Sequence, residues 1–277
     1  MKDIATTVIL SVLQRAALTH MAIPGTIRAF SDTDAESAGA RIIPIRDASA
    51  DVIVVMPARN EEADVADVVA RVIALGFKPV VVDDYSSDGT REAARRAGAV
   101  VLELPFHAGS WAAIQTGMRY AQFCHCSHVV TLDADGQHNP EDIAELLGLM
   151  AVGDAPNVVI GACVGRANRR RRLAWRTLRW LSGLRISDLT SGFRAYDRTA
   201  VDLLVSQKHT LIEYQDVGVL LCVRHADLSA VEVEVPMQPR GHGISRIFNS
   251  WSRVAYYLLY SALIGSSRRR RIKEKSG

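Results

Sequence analysis

The sequence predicts an α/β domain with a mostly parallel sheet flanked by helices, and three observations carry that prediction. Runs of β-branched and apolar residues at Val52–Met56, Val80–Val82, Val100–Leu104 and Val129–Leu132 read as buried strands. The stretches between them are long enough for helices, which parallel neighbours need as crossovers. Two of the runs stop abruptly in carboxylates, Asp83-Asp84 and Asp133-Ala134-Asp135. Open α/β sheets bind ligands beyond the carboxyl ends of their strands, so these acidic pairs fall in one crevice.

The elements follow in order. Residues 1–20 carry an apolar face of Ala5, Val8, Ile9, Val12, Leu13 and Ala16, which reads as an amphipathic helix. The apolar stretch is too short to span a bilayer, and Gln14 and Arg15 interrupt it against a signal-peptide reading. Residues 21–50, with Pro24-Gly25 and a polar run from Ser31 to Ser37, read as a linker or loose extension. The core domain spans residues 51–250. Its first strand is expected to stop at Pro57, with Asn60 capping the next helix and Gly76 ending it. Pro79–Asp84 is the next strand. Ser86–Thr90 turns into a helix over Arg91–Ala97, Val100–Leu104 is a third strand, and a helix over Trp111–Phe123 leads to the central one. After that strand Asn139 is expected to cap a helix that has Pro140 at its first position. Residues 157–164 read as another buried strand, and Val217–Val223 as an apolar helix headed by Glu213-Tyr214-Gln215-Asp216.

Composition narrows the function. The chain has 277 residues, 48% of them apolar, which suits one large folded domain with appendages. A net charge of +3 argues against a general nucleic-acid binder. Four cysteines do not make a secreted disulfide framework at this length, so a reducing cytoplasm fits best. Cys124-His125-Cys126-Ser127-His128 invites a zinc reading, but the spacing is not that of a structural zinc site.

Asp133 and Asp135 would repel each other in a crevice. A hard divalent cation between them and a phosphate resolves the repulsion, because Mg²⁺ takes oxygen ligands and leaves sites open for substrate phosphates. A calcium loop of the EF-hand type is excluded by the placement of Gly136 and Pro140. A solvated acidic loop is the plain alternative.

Three segments then resemble, in order and spacing, the nucleotide-sugar half of a family-two glycosyltransferase with the GT-A fold. They are Val55–Glu62, Val82–Thr90 and Leu132–Gln137. Asp188–Tyr196 and Val235–Arg246 resemble the branch that includes dolichyl-phosphate mannose synthase and other polyprenyl-phosphate glycosyltransferases. The resemblance covers roughly residues 51–250 and implies roles for individual residues. Pro57, Arg59 and Glu61 would line the nucleotide pocket, and Asp83 and Asp84 would bind base and ribose. Asp133, Ala134 and Asp135 would form the metal and diphosphate site, with Gln137 beside it and Asp133 and Asp135 as the ligands of Mg²⁺ or Mn²⁺. Arg166, Arg240 and Arg246 would hold phosphates on the donor side, and Arg194 on the acceptor side, since guanidinium groups bind phosphates bidentately.

The chain departs from the family in four places. Arg59 stands where tyrosine is common, Tyr85 where glycine is common, Arg246 where lysine is more frequent, and His107-Ala108-Gly109-Ser110-Trp111 replaces a lysine-bearing Asn-x-Gly-Lys-Gly segment.

The basic run Arg169–Arg172, with Trp175 and Trp180, lies where the family places its acceptor loop. Its Arg169 and Arg172 suit an anionic lipid headgroup, and a solvated helix face is the alternative. Asp216, with Glu213 behind it, is the candidate base, unless both are simply acids at a helix start. Residues 251–277 combine an apolar, tyrosine-bearing stretch with Arg268–Arg271. They suit a helix on an anionic leaflet or a packed helix with a basic tail.

The expected function is therefore inverting transfer of a sugar from a GDP- or UDP-sugar to a polyprenyl phosphate. The protein would be peripheral at the cytoplasmic face of a membrane, with homo-oligomerisation left open. Two alternatives stand beside it: transfer to a saccharide hydroxyl, and a non-catalytic nucleotide-sugar or membrane-binding adaptor.

Overall fold

The computed structural model describes residues 52–151, 155–163, 186–188, 191–206 and 215–237, the last with side chains from residue 218. The expected terminal helices, the acceptor loop and Glu213, Arg166, Arg169, Arg172, Arg240 and Arg246 lie outside the described residues.

The described chain forms β1 (Val52–Ala58), α1 (Val65–Ala74), β2 (Lys78–Asp83), α2 (Thr90–Arg96), β3 (Val100–Glu103) and α3 (Ser110–Phe123). There follow β4 (His128–Thr131), a 3₁₀ turn (Pro140–Asp142), α4 (Ile143–Met150), β5 (Val158–Ala162) and β6 (Arg194–Asp197). Helices α5 (Arg198–Leu204) and α6 (Gln215–His225) and strand β7 (Ala230–Glu234) complete it. These strands make one seven-stranded sheet in the order β3-β2-β1-β4-β6-β5-β7. Only β6 runs against the rest, pairing antiparallel with both β4 and β5.

Side-chain alternation explains why both faces of the sheet are covered. Along β1, Ile53 and Val55 enter one buried cluster while Val54 and Met56 enter the other. A strand apolar on both faces must be covered on both, so helices flank the sheet on each side. Helix α3 packs on one face, with Gly117 so close to β1 that a Cβ there would lie 2.3 Å from Val55. Gln115, 1% exposed, ties the same helix to α5 through a 2.7 Å hydrogen bond from Nε2 to the Leu204 carbonyl. On the other face α1 contributes Val65, Val68, Val69 and Val72, and α4 contributes Ile143 and Leu146. Each such side chain stabilises the fold by about 1.5–3 kcal/mol relative to exposure.

Three local expectations need correction. Strand β1 does not stop at Pro57 but runs on to Ala58, with Pro57 in register with Val82. The reason is geometric. The Val55 carbonyl accepts from Leu132 on the β4 side, so Pro57, two residues on, presents its missing N–H to that side. The β1–β4 ladder has already ended there, at Val55 and Thr131. Asn60 does not cap α1: it has φ of 54°, and the helix begins at Val65 after a turn closed by the Glu61 carbonyl. Asn139 precedes the 3₁₀ turn, with Pro140 first as expected, but makes no side-chain cap. Its Oδ1 accepts instead from the Arg71 guanidinium at 3.4 Å.

The direction of β6 matters most for function. Arg194 is in register with Thr131, the last residue of β4. Because β6 runs backwards, its leading residues, Ser191 to Phe193, arrive at the edge where β1, β2 and β4 end. The strand order also reverses between β1 and β4, which is the switch point where such sheets open a crevice.

Candidate active site

The crevice is floored by the ends of β1 and β2, which are laced together by short polar side chains. The Asn60 amide donates to Ser86 Oγ at 3.0 Å and the Glu61 amide to Thr90 Oγ1 at 2.9 Å. In the other direction the Ser87 amide donates to Asn60 Oδ1 at 2.9 Å and the Gly89 amide to Glu62 Oε2 at 3.0 Å. Asp88 accepts from the Glu62 amide at 3.3 Å and from the Thr90 amide at 3.1 Å. Burial pushes the Asp88 carboxyl up, but the hydrogen bonds from Thr90 and Glu62 outweigh it and hold the group below its ordinary value. These side chains were readable as turn formers. Their reciprocal bonding was not, because it links residues some 27 positions apart.

The acidic pair of β2 divides its work. Asp84 is buried and both of its oxygens are engaged. Oδ1 accepts from the Ala108 amide at 2.7 Å, and Oδ2 lies 2.7 Å from His107 Nδ1 and accepts from the Gly109 amide at 3.0 Å. The atypical segment His107–Gly109 is thus fastened to the crevice by that carboxylate. Asp83 is fully buried, and its Oδ2 accepts from the Ser86 amide at 3.1 Å. Its Oδ1 has no hydrogen-bond partner among the described residues. A buried carboxylate oxygen left unpaired is costly, and an incoming N–H or O–H would relieve it.

At the end of β4, Ala134 and Asp135 are buried, and Asp133 and Gln137 are half-buried. Asp135 Oδ1 accepts from the Gln137 amide at 3.1 Å, across Gly136 at φ of 70°. The turn therefore orients Asp135 by its own backbone. Beyond it, Arg71 reaches from α1 to Glu141 at 2.5 Å and fixes the start of the 3₁₀ turn. That hydrogen bond raises the Arg71 pKa and lowers that of Glu141.

The backward strand supplies the opposite wall. Thr131 Oγ1 donates to the Gly192 carbonyl at 2.6 Å, and Ser191 Oγ to the Gly161 carbonyl at 2.6 Å. Gly192 is thereby pressed against Asp133: a Cβ there would lie 3.2 Å from Oδ2 and 3.3 Å from Oδ1. The loop before it is held by Glu232, which accepts from the Ser187 amide at 2.6 Å and the Asp188 amide at 2.8 Å. Sequence reasoning missed Gly192, Thr131 and Glu232. Only the Ser-Gly-Phe-Arg motif hinted at the first, and nothing local hinted at the others.

The remaining residues fall as follows. Pro57, Arg59 and Glu61 are half-buried at and just past the end of β1. Arg194 is 2% exposed on β6, on the same face of the sheet as Tyr196. Asp216 falls in α6.

A divalent cation can be tested against this donor set. Among the described residues no group of three or more His, Cys, Asp or Glu converges as a closed metal cage. Two carboxylates one residue apart at a strand end are instead an open, all-oxygen set. That matches Mg²⁺, which binds through one or two carboxylates plus substrate phosphates. Among the described residues no helix is long and apolar enough to cross a membrane.

A seven-stranded sheet with one reversed strand and acidic pairs at its switch point defines a glycosyltransferase of the GT-A fold. The structure of glucosyl-3-phosphoglycerate synthase from Mycobacterium tuberculosis with Mg²⁺ and UDP superposes with a TM-score of 0.59 at 20% identity, covering 84% of each chain. Residues 53–204 match Glycosyl transferase family 2, and the chain belongs to that family. Polyprenol monophosphomannose synthase of Mycolicibacterium smegmatis is 28% identical over 74% of this chain and 84% of its own. Undecaprenyl-phosphate mannosyltransferase of Micrococcus luteus is 31% identical over 57% of this chain and 70% of its own.

Proposed function

We propose that this glycosyltransferase moves a sugar from a nucleoside diphosphate sugar to a polyprenyl phosphate, with inversion at the anomeric carbon. The observation that carries the donor side is the division of labour at β2. Among the described residues Asp83 keeps one unpaired buried oxygen, and Asp84 uses both of its own to order the neighbouring loop. Asp83 Oδ1 would accept a ring N–H of the base, and the half-buried Pro57, Arg59 and Glu61 would border it. Asp133 and Asp135 would hold Mg²⁺ or Mn²⁺, which when bound neutralises the departing diphosphate as a Lewis acid. Gln137 and Ala134 shape the turn that keeps Asp135 in place. Arg166, Arg240 and Arg246 would hold donor phosphates, and Arg169, Arg172 and Arg194 the acceptor phosphate.

In the reaction an acceptor phosphate oxygen bonds to the anomeric carbon as the bond to the donor diphosphate breaks, and the nucleoside diphosphate leaves with that electron pair. The acceptor is already anionic near neutral pH, so no proton need be removed. The polyprenyl acceptor is supported by the two relatives whose names specify it. Such an acceptor places the enzyme at a membrane surface.

The test incubates the purified chain with UDP- and GDP-sugars, Mg²⁺ or Mn²⁺, and a short polyprenyl phosphate. Metal-dependent, lipid-linked product that is lost in Asp135→Ala is the expected result. Donor binding without lipid-linked product overturns the acceptor assignment. With a phosphate acceptor Asp216→Asn should leave most of the turnover intact, whereas a saccharide hydroxyl acceptor would need that base and lose it.

A further inference from the structure

We infer that Tyr85 is a donor-binding residue whose ring stacks on the nucleotide base. The inference rests on the donor reading above and adds a residue to it. Tyr85 has φ of 61°, in the left-handed region. For a bulky side chain that conformation is a true outlier, which persists only where its surroundings over-determine it. Here they do. On one side the Asp84 amide donates to the Ala58 carbonyl at 2.9 Å and the Asp84 carboxylate is bound to residues 107–109. On the other, the Ser86 amide is held by Asp83, and Ser86 Oγ by the Asn60 amide.

The strain is not offset by burial, because Tyr85 is 56% exposed. A rigid loop therefore holds a large aromatic side chain out at the crest of the crevice, in a conformation its own backbone disfavours. Two residues earlier, Asp83 Oδ1 is buried without a hydrogen bond among the described residues. Phe106 is also exposed, at 43%, one residue before the His107 that Asp84 binds. A ligand that meets an acceptor oxygen with a ring N–H and an aromatic face with its own plane is a nucleobase. Uracil and guanine both carry such an N–H, and stacking accepts either, so the ring adds affinity for the base without choosing its edge.

The experiment is calorimetric titration of UDP and GDP, with Mg²⁺, into the full chain and into Tyr85→Gly and Tyr85→Phe, with thermal melts of each. The expected result is that Tyr85→Gly binds about tenfold more weakly. It should melt higher, because glycine adopts positive φ freely. Tyr85→Phe should bind like the native chain. Nucleotide affinity unchanged in Tyr85→Gly overturns the stacking role while leaving the donor site standing. So does a loss of affinity shared equally by Tyr85→Phe, which would make the hydroxyl the contact. Absence of any nucleotide binding by the native chain overturns the donor reading itself.

Discussion

The two ends of the sheet build the same crevice by opposite means. On the β2–β1 side, residues 60–62 and 86–90 hold one another through side-chain to backbone hydrogen bonds, and one carboxylate oxygen of Asp83 is left without a hydrogen bond among the described residues. On the β6–β5 side the contacts are steric. A Cβ on Gly161 would lie 2.6 Å from the Phe193 ring, and one on Gly192 would crowd Asp133. The polar side tolerates no loss of a partner, and the packed side tolerates no added atom. This difference suits the tasks proposed for them. A base would be recognised by its hydrogen-bond edges, while a carboxylate that is to hold a metal would have to be kept in place beside an approaching acceptor.

The bluntest way to break the comparison is to remove what both sides serve. Asp135→Ala should lower sugar transfer by at least about 10²-fold, since it removes a preorganised electrostatic group from the reacting centre. Donor titration and rate measurements at several Mn²⁺ concentrations would check this; a fall that saturating metal restores would show that Asp133 alone suffices.

Next come the packed positions. Gly161→Ala should destabilise the fold by about 1–3 kcal/mol, because the Phe193 ring is boxed in by the sheet and cannot give way. Denaturant unfolding measures that directly. Gly192→Ala sharpens the point. Its Cβ would need Asp133 to move only a few tenths of an ångström, so stability should change less than in Gly161→Ala. Turnover should nonetheless fall by roughly tenfold, because small displacements at a reacting centre cost rate. Equal losses of stability in the two variants would make Gly192 a packing residue only.

On the polar side Thr90, fully buried at the start of α2, bridges the two strand ends through its hydroxyl. Thr90→Val keeps the shape but removes the acceptor of the Glu61 amide and one bond to Asp88. A cost of about 1–3 kcal/mol is expected for the unsatisfied buried donor, again read by denaturant unfolding.

Much of this was legible in the sequence, for a physical reason. The strands are apolar on both faces and end in charge, so their class, order of appearance and functional ends are written locally in Val80–Asp84 and Val129–Asp135. What local pattern cannot carry is pairing at a distance. Asn60 has the right chemistry for a helix cap, yet Ser86 and Ser87 outbid the helix for it from the next strand. Pro57 has the chemistry of a strand breaker, but its missing N–H costs nothing where β4 has already ended. Glu232 looks like an ordinary edge-strand acid until the fold brings Ser187 and Asp188 to it. The reversal of β6 is likewise invisible in Arg194–Asp197, and it is what delivers Gly192 to Asp133.

The smallest expected effect tests whether the polar lacing depends on charge. Asp88 has a carboxyl pKa held below its ordinary value of 3.8 by donors from Thr90 and Glu62, against the upward push of burial. A carboxyl lowered by folding contributes stability that is present above its unfolded pKa and lost as pH falls through its folded one. Asp88→Asn should therefore be less stable than the native chain near neutral pH, and the gap should close as pH drops below about 3.8, the unfolded reference. The group is only partly buried, so solvent screening keeps the gap small. Melts of both chains between pH 3 and pH 7 would show it. A gap that stays constant over that range would mean that Asp88 acts through hydrogen-bond geometry alone, and that the polar side of the crevice, like the packed side, is held by shape.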